Sequence, residues 1–470
     1  MIYKLLIDGV LVDGASTLEV INPASGKPFA ICARADKTQL EAAIASAKKA
    51  FPAWAALGHT ERRDYLVLLA DAVQARHDEL SRLLTQEQGK PLAQARSEVS
   101  GSIATLRYFS ELKFDITVIR ETSNDKILEQ RVPLGVVAAI TPWNYPMSLL
   151  LLKAAPALIA GNTVVAKPAP STPLTTALLG EIASTILPAG VFNVIIDDND
   201  LGTVLTSHPD IAKVSFTGST ATGKRVMENA AGTFKRLTLE LGGNDAAIIL
   251  DDVNIKEVAP KIFRAAMINA GQVCLATKRI YVHRSLHDAL CEELSRLGRE
   301  AVVGDGMNPE TEIGPVQNQR QYEKVLELIA DAAQHGKVIA GGGPLERDGY
   351  FISPTIFSNL SDRSRLVREE QFGPVVPVLA YDALDEVIER VNDSEYGLGG
   401  TVWTSDPDRG VDIAKRIHSG TVWVNKHLEM PLDVPFSGAK QSGIGRERGL
   451  DGLKEFTQAK TINVAKKVAV

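Results

Sequence analysis

A cysteine at the end of a helical segment has the clearest chemical potential in this sequence. It closes the stretch Asn269-Ala270-Gly271-Gln272-Val273-Cys274. Before this stretch, Asn254 and Glu257 stand in capping-box spacing and apolar residues then recur with helical period. Gly271 allows backbone to approach closely, so Cys274 could lie at the floor of a cleft, where a thiolate would act as a nucleophile. Most free cysteines are buried structural residues, and this segment alone leaves both interpretations open.

A second stretch has the arrangement of a phosphate site. Val214-Ser215-Phe216 predicts a strand, and Thr217-Gly218-Ser219-Thr220-Ala221-Thr222-Gly223-Lys224 continues it as a small-residue turn and a helix start. Backbone N–H groups at such a helix start receive phosphate oxygens. The spacing is not GxGxxG, and it matches GxxxxGK[ST] except at the last position, where Arg225 stands. A nucleotide-triphosphate loop and a tight turn that serves packing alone both remain alternatives.

Composition excludes several classes of protein. The chain has 470 residues, 45% hydrophobic and 23% charged, with a net charge of −6, so we expect two or three soluble domains that bind neither nucleic acid nor membrane. Its three cysteines contain no CxxC pair, which argues against a disulfide framework and against structural zinc. His283 and His287 lack the glutamate of HExxH, and we expect no metal site. The start lacks a signal-peptide core, and we expect a cytoplasmic protein.

The order of elements predicts an α/β fold. Asp8-Gly9 predicts a hairpin, and residues 37–112 have a helical pattern. Residues 114–132 alternate like a hairpin that needs a partner, and the tail from Thr461 to Val470 alternates like an edge strand. Short apolar runs predict buried parallel strands within 135–140, 163–166, 191–196, 214–216 and 246–250. A second α/β set follows, with strands predicted within 279–282, 338–340 and 375–379 and helices near 286–299 and 318–334. Thr172-Pro173 predicts a helix start between two of them.

Together these features resemble the NAD(P)-dependent aldehyde dehydrogenase superfamily along nearly the whole chain. Seven signatures stand in the family's order: Pro142-Trp143-Asn144, Lys167-Pro168, Phe216-Thr217-Gly218-Ser219-Thr220, Glu240-Leu241-Gly242-Gly243, Asn269–Cys274, Glu370-Gln371-Phe372-Gly373-Pro374 and Pro435-Phe436-Ser437-Gly438. The resemblance implies an α/β aldehyde-dehydrogenase-like fold with three parts. These are a Rossmann-type NAD(P)-binding domain over 1–113 and 133–239, an α/β catalytic domain over 240–441, and a β oligomerisation arm over 114–132 and 456–470. It also implies a homodimer or homotetramer.

The resemblance further implies a covalent oxidation of an aldehyde. Cys274 would add to the carbonyl, and Asn144 with the Cys274 N–H would hold the oxyanion. Hydride loss then leaves a thioester, and Glu240 would activate the water that hydrolyses it. Glu447 would pass the proton outward, unless it is an ordinary carboxylate at a helix start. Lys167, at a strand end, completes the implied catalytic set and would bond the adenosine ribose, unless it is simply solvated.

The remaining implied residues surround the cofactor and the aldehyde. The residues that the resemblance implies for cofactor binding are Ile140, Thr141, Pro142, Trp143, Lys167, Pro170, Phe216, Gly218, Ser219, Thr222, Leu241, Glu370 and Phe372. Substrate binding falls on Asn144, Tyr145, Val273, Leu275 and Phe436. Lys426 and His427 lie in the implied substrate loop, and they would favour an aldehyde with a remote carboxylate unless they are merely solvated.

The cofactor preference departs from the family pattern. Family members that prefer NAD carry a glutamate three residues after the strand-end lysine, where this chain has Pro170. That change permits NADP, whereas Asp197 and Asp198, in a loop near the implied adenosine site, would repel a 2′-phosphate. We therefore predict NAD as the preferred cofactor, with NADP also accepted, unless the loop points outward.

Three other functions compete with this one. A thiol hydrolase or amidase would also use Cys274, but it would leave the cofactor signatures unexplained, and no histidine has a recognisable partnering motif. A catalytically idle relative would be expected to lose Cys274 or Glu240. A relative that transfers the acyl group to coenzyme A would not need the base Glu240.

Overall fold

Short strands alternate with amphipathic helices, and two large β-sheets form the framework. The structure is a computed structural model that describes residues 2–466. In chain order the strands are β1 (Ile2–Tyr3), β2 (Leu5–Ile7), β3 (Val10–Val12), β4 (Ser16–Asn22), β5 (Lys27–Arg34), β6 (Thr117–Glu121), β7 (Asp125–Pro133), β8 (Val136–Ile140), β9 (Thr163–Lys167), β10 (Phe192–Val194), β11 (Ile211–Thr217), β12 (Arg236–Glu240), β13 (Ala246–Ile249), β14 (Arg279–His283), β15 (Lys337–Ala340), β16 (Thr355–Ser358), β17 (Val375–Tyr381), β18 (Tyr396–Gly397), β19 (Gly399–Trp403), β20 (Thr421–Val424), β21 (Ala439–Lys440), β22 (Gly443–Ile444) and β23 (Thr457–Ala465).

The helices fall between these strands. They are α1 (Lys37–Ala56), α2 (His59–Ala75), α3 (His77–Gln88), α4 (Leu92–Glu111), α5 (Pro146–Ile159), α6 (Leu174–Ser184), α7 (Gly202–Ser207), α8 (Thr220–Ala231), α9 (Ile255–Met267), α10 (His287–Glu300), α11 (Gln319–Ala333), α12 (Arg365–Arg368), α13 (Leu384–Asn392), α14 (Pro407–Ala414) and α15 (Gly449–Lys454). Short 3₁₀ turns cover Ile268–Gly271 and Arg284–Leu286.

The first sheet has the order β22-β12-β11-β8-β9-β10-β2-β3. Strands β8 to β12 are parallel, and β8 and β9 are buried along their whole length, which suits a sheet covered on both faces. The chain runs from β8 through β9 to β10 on one side and then returns to place β11 on the other side of β8. Ligands bind at such a switch point, beyond the carboxyl ends of the strands. The site is therefore expected beside Thr141 and Gly218, which follow β8 and β11.

The second sheet has the order β15-β16-β17-β14-β13-β19-β20 and is parallel apart from β15. Its apolar core is separate from that of the first sheet. Strand β22 comes from the later part of the chain but pairs with β12 of the first sheet, through Glu240 and Gly443. The chain thus returns from the second sheet to the edge of the first, next to Glu240.

The predicted hairpin of residues 114–132 pairs with the C-terminal strand. Strands β6, β7 and β23 form one antiparallel sheet of three strands, in which β7 is central. Every residue of β6 is exposed. The hairpin was predicted to need a partner strand, and that partner is β23 of the same chain. The part of the predicted arm at 467–470 lies outside the described residues.

The α/β fold class is confirmed, and so is the first hairpin. Asp8 (φ 53°) and Gly9 (φ 75°) both adopt the left-handed conformation that a two-residue hairpin turn needs. Strands β4, β5, β12, β16 and β18 to β22 were not predicted from the sequence pattern. Among the predicted helices, α10 and α11 begin and end within two residues of the ranges 286–299 and 318–334.

The predicted start of α6 is wrong in its details. Thr172 does not cap the helix, which begins at Leu174. The cap is the buried carboxylate of Glu87, whose oxygens accept hydrogen bonds from Leu174 N (2.7 Å) and Thr175 N (3.0 Å). A carboxylate at this end is also favoured by the helix dipole.

Candidate active site

The backbone before Cys274 makes an uncommon turn. Helix α9 ends at Met267, and Asn269 (φ 51°), Ala270 (φ 53°) and Gly271 (φ 71°) are all left-handed. A Cβ atom on Gly271 would lie 2.1 Å from the Gly373 carbonyl oxygen, so only glycine fits there. Each non-glycine residue in this conformation costs about 1–3 kcal/mol, which the surrounding contacts must offset.

Hydrogen bonds from distant segments hold this turn. Asn269 Nδ2 donates to the Asn144 carbonyl (3.2 Å), and Gln272 Oε1 accepts from Gln317 N (2.8 Å). Lys278 Nζ donates to the carbonyls of Val273 (2.9 Å) and Cys274 (2.6 Å). The position of the cysteine backbone is therefore fixed from both sides of the turn.

The Cys274 thiol is protonated at neutral pH. It is a free cysteine, and burial raises its pKa to about 12; nearby Lys278 opposes this rise, and the carboxylates of Asp245 and Glu370 add to it. Because the thiolate is the nucleophile, a proton acceptor must act before or during attack on a carbonyl.

Asn144 is hydrogen-bonded to the turn that carries Cys274. It is buried, and its Nδ2 donates to the Gln272 carbonyl (3.0 Å), which leaves one N–H of this amide group for a ligand. Over residues 2–466 the Cys274 N–H donates to no protein acceptor. Two N–H groups are thus available where an oxyanion would form.

Glu240 ends β12 with a carboxyl group that is fully desolvated. Neither of its oxygens has a hydrogen-bond partner in the described part of the chain. Burial raises the pKa of Glu240 well above its usual value and Glu447 adds to the rise, while Lys153 and Arg448 oppose it. A raised pKa makes this carboxylate a stronger base, which suits a general base.

Glu447 is not an ordinary surface carboxylate. Its side chain is buried and forms an ion pair with Lys153, which is fully buried on α5. Its backbone pairs with that of Phe436 through two hydrogen bonds of 2.8 Å. Glu447 and Glu240 interact electrostatically, so a proton on one lowers the cost of charge on the other.

One cavity of about 190 Å³ joins Cys274 to the N-terminus of α8. Nine of the residues predicted from the sequence line it, namely Pro142, Trp143, Asn144, Gly218, Ser219, Leu241, Cys274, Glu370 and Phe372. Thr141 Oγ1 and Thr217 Oγ1, at the carboxyl ends of β8 and β11, are buried without a hydrogen-bond partner among residues 2–466. These groups and Glu240 fit a site that is completed by a polar ligand.

The turn before α8 suits a diphosphate and not a triphosphate loop. Only Gly218 and Ser219 separate β11 from α8, and Ser219 caps the helix by accepting from Thr222 N (3.2 Å). Lys224 and Arg225 are exposed residues of α8. They therefore do not belong to a loop that could surround the phosphates of a nucleoside triphosphate. This geometry removes the main support for a nucleotide-triphosphatase.

The far side of the cavity comes from residues 321–372. Glu370 Oε1 accepts from Gly243 N (3.0 Å), and the rings of Trp143 and Phe372 meet edge to face at 5.2 Å. Gln321 and Lys324 also line the cavity, and Lys324 donates to the Glu370 carbonyl (2.8 Å). Neither residue was predicted from the sequence, since their helical pattern indicates only α11.

Lys167 lies outside this cavity and is neither solvated nor free. It is buried, and its Nζ lies 2.6 Å from Oδ1 of the fully buried Asp197. The other Asp197 oxygen accepts from Leu201 N (2.9 Å). Asp198 is exposed, and Pro170 lies in the turn before α6. Only one of the two loop aspartates therefore lies against Lys167.

The predicted substrate residues form an apolar cluster around the thiol. Val273, Leu275 and Phe436 are buried in it, together with Trp423 and Leu398, and Tyr145, Leu428 and Met430 pack against it. The side chain of Ile140, predicted to bind cofactor, is buried at the end of β8, and that of Phe216 within β11.

The two basic residues of the implied substrate loop already have partners. Lys426 is exposed and pairs with Glu429 (3.0 Å), and His427 Nε2 donates to the Leu275 carbonyl (2.6 Å). Burial lowers the pKa of His427 to about 4, so its ring is neutral. Neither side chain is positioned to bind a substrate carboxylate.

No group of three or more His, Cys, Asp and Glu side chains with the geometry to hold a metal ion occurs within residues 2–466. In the same range, no helix is both long enough and apolar enough to cross a membrane.

Comparison with known proteins agrees with this geometry. The model of the aldehyde dehydrogenase family matches residues 11–462, and the chain belongs to this family. It is 37% identical to a betaine aldehyde dehydrogenase of Vibrio vulnificus (96% of this chain, 95% of that one) and 38% identical to a mitochondrial aldehyde dehydrogenase of Leishmania tarentolae (99% and 96%).

Solved structures show the same similarity. An NAD+ complex of aldehyde dehydrogenase from Bacillus cereus superposes with a TM-score of 0.97 at 36% identity, covering 99% of this chain and 97% of that one. An NAD+ complex of betaine aldehyde dehydrogenase from Staphylococcus aureus gives 0.96 at 33% identity, covering 100% and 95%. The chain is therefore an aldehyde dehydrogenase, and it is an oxidoreductase.

Proposed function

We propose that this aldehyde dehydrogenase oxidises an aldehyde to the carboxylic acid with NAD, through a thioester on Cys274. The observation that carries the proposal is the cavity that connects the α8 N-terminus to Cys274 and lies next to the desolvated Glu240. A cofactor site, a nucleophile and a base are all needed for this reaction, and no simpler thiol chemistry needs all three.

The first half of the reaction forms a covalent adduct. Cys274 Sγ attacks the carbonyl carbon while its proton passes to a base, and the carbonyl oxygen becomes an oxyanion. The free Asn144 amide N–H and the Cys274 N–H hold that oxyanion. NAD, when bound, accepts the hydride that converts the adduct to a thioester.

The second half removes the acyl group. Glu240 takes a proton from a water molecule, which attacks the thioester carbon and releases the acid and the Cys274 thiol. Glu447, whose charge is balanced by Lys153, receives the proton from Glu240 and passes it on. The raised pKa of Glu240 makes this carboxyl group basic enough for the step.

The proposed cofactor site follows the cavity. The N-terminus of α8, with Gly218 and Ser219, receives the diphosphate, and Glu370 with Phe372 holds the nicotinamide ribose. Beyond the cavity, Lys167 would bond the adenosine ribose, as the family resemblance implies, with the buried Asp197 holding its ammonium group. Residues 1–113 and 133–239 would then form the NAD-binding domain and 240–441 the catalytic domain, as the separation into two sheets supports.

Substitution of the nucleophile tests the proposal. We expect that Cys274→Ala abolishes NADH formation with a panel of aldehydes and leaves the NAD dissociation constant within about threefold. Cys291→Ala is the matched control, because Cys291 is also a partly buried free thiol but lies on α10. An active Cys274→Ala enzyme would rule out the mechanism.

The competing functions explain fewer of these features. The His427 Nε2 that a thiol hydrolase could use donates to Leu275 O, and His427 makes no hydrogen bond to Cys274 within residues 2–466. Transfer to coenzyme A leaves the desolvated Glu240 without a role. An assay for acyl-coenzyme A alongside NADH formation separates the last two reactions.

We also propose an assembly and a location. The exposed strand β6 and its sheet suit contact with a second copy of the chain, giving a homodimer or homotetramer. The three free thiols suit a reducing compartment, and we propose that the enzyme is cytoplasmic.

A further inference from the structure

Arg448 is a cation near the catalytic carboxylates that has no counter-ion. Its Nη1 donates to the Met430 carbonyl (2.7 Å), and this is the side chain's one hydrogen bond within residues 2–466. No carboxylate oxygen of the same residues lies within 4.0 Å of its guanidinium nitrogens. A guanidinium carries five N–H donors, so most of its donors remain available.

The neighbouring basic residues differ from Arg448 in this respect. Arg446 is exposed and pairs with Asp451 (2.7 Å), and Lys454 pairs with the same aspartate (2.8 Å). Arg448 is less exposed than Arg446 and has an unfavourable backbone, with φ 65°. A cation that is partly desolvated and unpaired costs free energy unless a ligand supplies the missing charge.

The surroundings of Arg448 connect it to the substrate side of the thiol. Met430, whose carbonyl it contacts, packs against the apolar cluster that contains Cys274 and Phe436. Burial lowers the pKa of Arg448, and the charges of Glu447, Cys274 and Glu240 oppose that shift. The guanidinium therefore lies within electrostatic reach of the reacting groups.

The nearby carboxylates form no ion pair with Arg448. Glu447 pairs with Lys153, and neither Glu240 oxygen accepts a hydrogen bond from a side chain of the described residues. Lys426, the other basic candidate in the substrate loop, pairs with Glu429. Among these groups, Arg448 alone combines positive charge, free donors and contact with the loop.

We propose that Arg448 binds a carboxylate on the substrate, so that the preferred substrate is a short aldehyde acid, a semialdehyde. The assignment rests on the proposed aldehyde oxidation and adds the substrate class. A guanidinium binds a carboxylate through two parallel hydrogen bonds, which gives both affinity and orientation. The same charge disfavours an aldehyde with a quaternary ammonium group, the substrate type that the names of several relatives indicate.

The test compares two aldehydes of equal chain length. We expect wild type to have a higher kcat/KM for succinic semialdehyde than for butanal. Arg448→Met should lower that ratio by about 10- to 100-fold, mainly through KM, because the loss of a charge near Glu240 affects both aldehydes alike and cancels in the ratio. Arg448→Lys keeps the positive charge but not the two parallel N–H donors, so it should restore part of the kcat/KM ratio. Arg446→Met is the matched control and should leave it unchanged.

The remaining outcomes show whether the Arg448 assignment or the proposed function is wrong. A ratio that is unchanged in Arg448→Met overturns the assignment, as does a wild-type preference for butanal. If both substrates lose activity equally in Arg448→Met and Arg448→Lys, Arg448 only fixes the loop through Met430, and the assignment is also overturned. Failure of the proposed function has a different signature, since wild type would then reduce NAD with neither aldehyde. Inhibition by succinate, weaker in Arg448→Met, gives a binding measurement that does not depend on turnover.

Discussion

At the residue scale, burial raises the pKa values of the two groups that carry out the covalent chemistry. It raises the pKa of the Cys274 thiol to about 12 and raises that of Glu240 well above its ordinary value. The first shift opposes formation of the nucleophile, whereas the second helps the base. The two shifts therefore affect different halves of the reaction and can be separated by kinetics.

Glu240→Gln should keep the first half of the reaction and slow the second. Because glutamine cannot accept the proton from water, the thioester should accumulate. Rapid-mixing absorbance should show a burst close to one NADH per site, followed by a steady rate lower by about 100-fold or more. Cys274→Ala, which cannot form the adduct, should show no burst. If Glu240→Gln loses the burst as well, Glu240 acts earlier, as the base that ionises Cys274.

Asp197 should determine the choice between NAD and NADP. Its buried carboxylate lies 2.6 Å from the Lys167 ammonium and would repel a 2′-phosphate at the proposed ribose site. In Asp197→Asn, which can still accept from Leu201 N, we expect the ratio of NADP to NAD dissociation constants to fall by about tenfold in calorimetry. Asp198→Asn is the matched control, because Asp198 is exposed. An equal shift in both variants, or none in Asp197→Asn, would contradict this assignment.

The sequence could identify the groups that react but not the residues that support them. Cys274, Glu240 and Asn144 stand in short signatures that can be read locally. Lys153 contacts Glu447 across 294 positions of the chain, and no local pattern marks that pair. Asp197 was predicted near the adenosine site, but its contact with Lys167 depends on the packing of β9 against β10.

At the element scale, the helices and strands with strong periodicity were the predictable ones. Strand β12 was missed because Arg236-Leu237-Thr238-Leu239-Glu240 begins exposed and ends buried, without a continuous apolar run. Helix α6 was placed by the local Thr-Pro signal, yet its cap comes from Glu87, 87 positions before Leu174. Local patterns thus predicted the element, whereas tertiary contacts decide how it begins.

The Glu87 cap should contribute to stability with a defined pH dependence. Glu87→Gln removes one of two acceptor oxygens from a buried cap, and we expect a loss of about 1–3 kcal/mol, seen as a lower Tm. Burial raises the pKa of Glu87 from 4.5 to about 7, so the native state holds a proton that the unfolded state releases between these values. The stability contributed by this group is therefore greatest below pH 4.5 and falls as the pH rises to about 7.

The Tm difference between wild type and Glu87→Gln should become smaller as the pH rises from 4.5 to about 7. Differential scanning fluorimetry at several pH values from 4.5 to 8 measures it, and comparing the two proteins removes the contribution of other titrating groups. Glu79→Gln is the control, because Glu79 lies on the same helix but is largely exposed. A difference that is constant or widens with pH would show that Glu87 is ionised in the native protein throughout.

At the scale of the whole molecule, the chain returns from the second sheet to the first through β22, which pairs with β12 next to Glu240. The cavity draws its residues from both sides, with Gly218 and Ser219 following a strand of the first sheet, and Glu370 and Phe372 preceding a strand of the second. Either sheet alone would carry only half of the proposed site. The family resemblance implies a division into two such domains, whereas hydrophobic patterns alone indicate only two successive α/β sets.

The three-stranded sheet of β6, β7 and β23 should govern assembly. Val118 and Ile119 on β6 are 50% and 58% exposed, and an exposed apolar edge strand is a template for pairing with another chain. We expect the wild type to elute as a dimer or tetramer in size-exclusion chromatography with light scattering. Val118→Asp should shift it to a smaller species, because an exposed charge opposes both edge pairing and apolar contact. Val10→Asp is the matched control, since Val10 is 59% exposed on β3, away from this sheet. A monomeric wild type, or the same mass for wild type and Val118→Asp, would mean that this sheet is not the contact between subunits.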